Sequence, residues 1–415
     1  MSHAFVSQVR NLRFAFFLLS VNALCEVNAF QYHFNRFGLL NSRSLSSKND
    51  DWHKNFELFT SSIKTELGDN DEPVLKQNIL EQQWKDKWNS KYVTIQGVRI
   101  HYKDTGPPSG NREGQYKTVV MLHGFAGSTA CWDDVFPTLA GNFRVIAFDR
   151  PAFGLTERPT VPMNMPWDLN VKTLGEDPYT VDFSVKLVWR LLDRLRVPSA
   201  VLVGHSLGCQ VAMRAAQARP RRAEGVVLIA PAILNAFDEI AGNTGGGIVG
   251  SLQNLRETAQ TVWGYARFIG AVNVPRLGLQ QVRDSILSGP DMYERVGRNF
   301  YNPQKVTQQM VDKYQRPLEE ENWDLGLVYF YRASQGDWEP GAQFLDKVKQ
   351  VWNGPALVIA GDHDGTCLPE ACEKVSNIID CDYKLVEKSG HNIPDEHPDL
   401  IAQEVRAFLL DKVTK

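Results

Sequence analysis

The chain of 415 residues has no C-x-x-C pair, no long basic run, no Asn-x-Ser/Thr sequon and no apolar stretch long enough for a comfortable membrane span. Each absence removes a class of protein. Without paired cysteines, and with no histidines clustered near any of the six at 25, 131, 209, 367, 372 and 381, a zinc site is not expected. Their spacing is also too sparse for a disulfide-stapled scaffold, so they read as buried or incidental thiols. A formal net charge of −3 without basic clusters gives no electrostatic footprint for nucleic acid. The missing sequons disfavour an ordinary glycosylated secretory destination.

The N-terminus is distinctive. Arg10 and Arg13 precede the apolar run Phe14–Val21, and Val27-Asn28-Ala29 offers a small-residue cleavage site. That order is the pattern of a signal peptide over residues 1–29. The following stretch, 30–50, opens on Phe30, carries Arg36, Arg43 and several serines, and holds no acid before Asp50. It has transit-peptide composition. Together the two segments resemble the bipartite presequence of algae with complex plastids, which implies plastid delivery; secretion or an endomembrane lumen is the alternative. Residues 51–90 read as a helical leader, with Trp84 and Trp88 at i, i+4 spacing.

From Lys91 the periodicity changes. Tyr92–Ile95 and Val98–Tyr102 around Gly97 predict a hairpin. Short apolar runs at 119–122, 145–148, 200–203, 226–229 and 356–359 suit strands buried on both faces of a largely parallel sheet. Between them lie helical patterns. Over 182–196, Phe183, Leu187, Val188, Leu191, Leu192 and Leu195 mark one face. The alternation predicts an α/β core over 91–234 and 351–415. Residues 235–350 interrupt it without a buried-strand run and predict a helical cap insertion. Gly245–Gly250 formally matches G-x-G-x-x-G, but no strand precedes it, so it reads as a hinge and not as a dinucleotide site.

The motif that carries chemistry is Gly204-His205-Ser206-Leu207-Gly208, placed directly after the run Ala200–Val203 and before a helical pattern rich in small residues. A serine on a tight strand-to-helix turn is forced into strained backbone geometry that lifts its hydroxyl above the sheet, and flanking glycines relieve the crowding. A serine hydroxyl needs a base, and the base needs an orienting acid. Gly361-Asp362-His363-Asp364 and Ser389-Gly390-His391 follow in the order serine, acid, histidine. His391 is the expected base. Asp364, three residues past Gly361, is preferred as the acid over Asp362 and over Asp238, which follows an earlier strand. The developing oxyanion requires prepared N–H donors. Leu207 and Phe125, in the loop His123-Gly124-Phe125, are the expected pair, while His123 is expected to hold that loop.

His123-Gly124, Phe148–Gly154, Gly204–Gly208, Gly361–Asp364 and Gly390-His391 together resemble the α/β-hydrolase superfamily over roughly 91–412. The resemblance implies a mostly parallel eight-stranded sheet flanked by helices, an inserted helical cap, and work without metal or organic cofactor. In that family an elbow aspartate marks epoxide hydrolases and dehalogenases. Serine points to esterases, lipases, thioesterases and carbon–carbon hydrolases. Plastid hydrolases that remove phytol from chlorophyll-type pigments look similar, though Gly208-Cys209 stands where many of those have two glycines. The expected activity is cleavage of a lipophilic carboxylic ester through an acyl-enzyme. A ligand receptor with little turnover and a carbon–carbon hydrolase are the alternatives. The aromatic, apolar segment 261–272 falls short of the ~18 residues of a span. Trp263 within it is the expected substrate-binding residue, and the segment leaves room for peripheral membrane contact through the cap.

Overall fold

The structure is a computed structural model that describes residues 90–110, 115–160, 176–234, 275–287, 291–334 and 341–413. The segments expected to form the presequence and the helical leader (residues 1–89), the expected glycine-rich hinge, Asp238 and Trp263 lie outside the described residues. Among the described residues no helix is long and apolar enough to cross a membrane.

Eight strands form one sheet in the order β1-β2-β4-β3-β5-β6-β7-β8. The hairpin β1 (Lys91–Ile95) and β2 (Val98–Asp104) turns through Gln96 and Gly97, both at positive φ (52° and 81°), as a two-residue turn matched to strand twist requires. β2 also pairs antiparallel with β4 (Arg144–Phe148). All the other pairings, through β3 (Thr118–Leu122), β5 (Ala200–His205), β6 (Ala223–Ile229), β7 (Ala356–Gly361) and β8 (Asp382–Val386), are parallel. β3 and β5 are buried along their whole length, as their unbroken apolar runs predict.

The flanking helices are α1 (Phe136–Ala140), α2 (Val181–Arg194), α3 (Gly208–Ala218), α9 (Pro369–Ile379), the short α10 (Ile393–Glu396) and α11 (Pro398–Phe408). α2 starts at Thr180, whose side chain accepts from Phe183 N–H, and it buries Phe183, Leu187, Val188, Leu191 and Leu192. Leu195, expected on that face, is instead the C-terminal cap and only half-buried, because the helix ends at Arg194. Between β6 and β7 the described segments are helical: α4 (Pro275–Leu287), α5 (Met292–Gly297), α6 (Gln308–Gln315), α7 (Trp323–Ser334) and α8 (Gly341–Val351).

The chain leaves β3 for β4 on one side and returns to β5 on the other. The crevice at the carboxyl ends of β3 and β5 is therefore the topological switch point, where open α/β sheets bind ligands.

Candidate active site

Four loops meet at that crevice, each following the carboxyl end of a parallel strand. Ser206 comes directly after β5, with φ 52°. The two glycines around it are demanded by different neighbours. A Cβ on Gly204 would sit 2.7 Å from the Cys209 backbone, within the turn itself. One on Gly208 would sit 2.2 Å from the Leu122 carbonyl oxygen, so this glycine lets α3 begin against the end of β3. The turn is fixed by Ser206 N–H donating to the Ile229 carbonyl and by Cys209 N–H donating to the Ser206 carbonyl.

The predicted base and acid arrive from the loops after β8 and β7. His391 Nε2 lies 3.0 Å from Ser206 Oγ, and His391 Nδ1 lies 2.8 Å from Asp364 Oδ2. A carboxylate accepts, so Nδ1 carries the proton and Nε2 faces the serine hydroxyl as an acceptor. The other oxygen of Asp364 accepts from the N–H groups of Thr366 and Cys367, at 2.7 and 2.8 Å. Asp364 is buried and thus fixed in place. Asp362, its rejected rival, accepts from Ser389 N–H at 3.0 Å and pairs with His363, tying the β7 turn to the histidine loop. Gly361 serves the same join, since a Cβ there would lie 2.4 Å from the Gly390 carbonyl oxygen.

The fourth loop, after β3, carries Phe125, one of the two expected oxyanion donors; Leu207, the other, lies in the elbow. A Cβ on Gly124 would fall 2.9 Å from Ser206 Cβ, so the missing side chain lets this backbone pass against the serine. Among the described residues the N–H groups of Phe125 and Leu207 have no hydrogen-bond partner. Unpartnered amides beside a serine hydroxyl are available for a developing negative charge. His123 holds the loop, as expected: Nδ1–H donates to the Gly124 carbonyl at 2.7 Å, and Nε2 accepts from Arg150 N–H at 3.1 Å. Burial pushes its pKa down to about 4, so it stays neutral at physiological pH. The Phe125 ring packs on Phe153 and on Phe330 and Tyr331 of α7.

Two features escape a reading by motif. His205, inside the elbow, donates from Nε2–H to the carbonyl of His391 at 2.9 Å. It thus ties the nucleophile turn to the base loop. Burial, and then the nearby His391, hold its pKa down at about 3. The second feature is a potential metal-donor group. Ligand atoms of Asp364, Cys367 and His391 lie within 4.8 Å of one another. A cation there would occupy the acid–base pair and so compete with activation of Ser206. Cys131, Cys209, Cys367 and Cys372 are buried free thiols.

Comparison with known proteins agrees with this architecture. Residues 117–398 match the family model described as alpha/beta hydrolase fold. The uncharacterized hydrolase YugF of Bacillus subtilis is 26% identical over 317 residues, covering 76% of this chain and 96% of that protein. Epoxide hydrolase 2 of Caenorhabditis elegans is 19% identical over 323 residues, covering 78% of this chain and 80% of its own. The crystal structure of Cfl2 from Burkholderia cenocepacia superposes with a TM-score of 0.54 at 23% identity, over 77% of this chain and 95% of that one. The chain belongs to the α/β-hydrolase fold family, and it is a hydrolase of that fold.

Proposed function

We propose that the protein hydrolyses a lipophilic carboxylic ester through a Ser206 acyl-enzyme. The observation that carries this reading is the line Ser206–His391–Asp364 standing beside two unpartnered amides. In the proposed reaction His391 Nε2 takes the hydroxyl proton as Ser206 Oγ attacks the carbonyl carbon. The Phe125 and Leu207 amides hold the oxyanion, and protonated His391 then gives its proton to the departing alcohol. Asp364 keeps the imidazole in the required tautomer and stabilises its positive form. A water activated by His391 releases the acid.

The epoxide hydrolase among the relatives raises a second chemistry, which the elbow residue disfavours. An elbow aspartate opens an epoxide to an ester, which water can hydrolyse. A serine would open it to an ether, which offers no carbonyl for water to attack. Ser206 therefore suits acyl substrates, where the covalent intermediate remains an ester.

The lipophilic preference rests on the aromatic segment around Trp263 and on the rings around Phe125. Binding energy from a remote chain can lower the barrier to reaction as well as KM. Turnover of p-nitrophenyl esters from acetate to palmitate should show kcat/KM rising with chain length, and Trp263→Ala should flatten that rise. A preference for acetate that Trp263→Ala leaves unchanged would refute the lipophilic site. A single stoichiometric event in place of sustained turnover would favour a receptor.

A further inference from the structure

The loop that carries His391 is gripped by the helical segment between β6 and β7 as well as by the sheet. The N–H groups of His391 and Asn392 both donate to the Asn299 carbonyl, at 2.7 and 3.1 Å. A Cβ on Gly390 would lie 2.4 Å from that same oxygen, so the close approach needs glycine. Glu396 bridges the two parts: one oxygen accepts from Gly390 N–H at 2.7 Å, the other from Tyr301 N–H at 2.8 Å and Asn302 N–H at 3.3 Å.

Behind this join lies a partly buried polar cluster that the Ser206 chemistry does not use. The Tyr314 hydroxyl donates to Asp395 Oδ2 at 2.6 Å and accepts from Asn392 Nδ2 at 3.0 Å. Lys313 donates to the other Asp395 oxygen at 3.2 Å and to Asp134 at 2.9 Å. Asp395 and Asn392 are themselves buried. Both belong to the α10 turn, Asn392 as its N-terminal cap and Asp395 within it, and Asn392 is the residue after His391. One phenol oxygen therefore spans both ends of the turn that sets the direction of the imidazole. Asp395 and Asn392 are the cluster's buried members; their hydrogen bonds to one hydroxyl favour a single geometry, and losing that hydroxyl leaves both short of a partner.

We propose that Tyr314, from the helical insertion, is a positioning residue for His391. On this account residues 299–314 cannot move away from the core without releasing the imidazole from its line to Ser206. The effect expected from losing the phenol is on the rate of the chemical step, since a displacement of about 1 Å far from the reacting atoms can cost ~10²-fold.

The proposal rests on Ser206 acting as a nucleophile, and the test separates the two ideas. Tyr314→Phe removes the hydroxyl and keeps the ring. With p-nitrophenyl butyrate as the probe, kcat should fall about tenfold while KM stays within about twofold, and fluorophosphonate labelling of Ser206 should slow in parallel. Asn392→Ala should act in the same direction. The double variant should be no worse than the stronger single by more than about twofold, because both act through one network. Thermal unfolding is recorded for each variant. A folded Tyr314→Phe with unchanged kcat, a loss confined to KM, or full additivity with Asn392→Ala would overturn the positioning role alone. Should Tyr314→Phe fail to fold, Asn392→Ala decides, and an unchanged kcat there overturns the role. A native chain that fluorophosphonate does not label overturns both this role and the nucleophile reading.

Discussion

Among the described residues two serine–histidine–aspartate lines have nearly the same dimensions. In one, His391 lies 3.0 Å from Ser206 and 2.8 Å from Asp364. In the other, His101 on β2 lies 2.8 Å from Ser90 Oγ and 2.7 Å from Asp149 after β4. Both aspartates also accept from two backbone N–H groups, Asp149 from Thr129 and Leu155 at 2.6 and 2.8 Å. What differs is the serine. Ser206 stands at positive φ on an elbow, with Gly124 brushing past and two unpartnered amides beside it. Ser90 is exposed, precedes an edge strand and, among the described residues, no glycine closes on it as Gly124 does on Ser206. Asp149 is committed to structure: a Cβ on Gly154 would lie 2.0 Å from its carboxyl carbon, so the following turn is wrapped around it. Burial pushes this carboxyl up, yet the His101 imidazole and the backbone amides outweigh it and leave the pKa at about 2. Distances within a triad are thus shared by a fold-holding network. A serine at positive φ with two unpartnered amides beside it separates the two.

Removing each serine in turn should separate the two lines most strongly. Ser206→Ala should abolish fluorophosphonate labelling and lower kcat by about 10⁴-fold or more, in a chain that still folds. Ser90→Ala should leave both within about twofold. Mass spectrometry that located label on Ser90 in the Ser206→Ala protein would show that the first line can also act. The aspartates give the next largest contrast. Asp364→Asn should cost about 10⁴-fold in kcat through the wrong His391 tautomer, with little change in melting temperature. Asp149→Asn should do the reverse. Removing one partner of a buried pair destabilises by about 3–5 kcal/mol, while the folded fraction keeps its turnover. Thermal melts alongside kinetics distinguish the outcomes, and a rate loss at Asp149 without destabilisation would contradict its structural role.

The smallest effect concerns the two histidines that flank these lines. The folded pKa values of His123 and His205, about 4 and about 3, lie below the unfolded value near 6.5. Between those limits the unfolded chain binds protons that the folded chain refuses. Their contribution to stability is therefore full above pH ~6.5 and is lost as pH falls through the folded values. The loss should reach about 2 kcal/mol for each imidazole by pH 5. The urea midpoint should be clearly lower at pH 5 than at pH 7.5, and an unchanged midpoint would mean that these imidazoles are not held neutral.

Much of this was legible because it is local. The elbow, the Gly124 loop and the Gly390-His391 pair are short motifs that follow apolar runs, and the structure brings all of them to one rim. The choice of Asp364 over Asp362 could be argued from its distance past β7 alone. Other features have no local pattern. His205 reaches a carbonyl 186 residues away and Tyr314 a carboxylate 81 residues away. Neither residue differs in type from an ordinary turn or helix residue. The Asp149 line was hidden in another way: His101 falls on the polar phase of the Val98–Asp104 alternation, which predicts an outward side chain, yet it is buried.

The line proposed to activate Ser206 spans 185 residues of chain, with the helical segments between β6 and β7 lying between the serine and the histidine. During synthesis at roughly 5–20 residues per second, the elbow therefore exists for roughly 10–40 s before its histidine is made. In that interval the serine has no base, so on the proposed chemistry it stays an ordinary alcohol and the half-made chain is silent. The same interval leaves β6 without β7, an open strand edge ready to pair with other chains. Until the chain is complete, its hazard to the cell is adhesion and not misdirected hydrolysis.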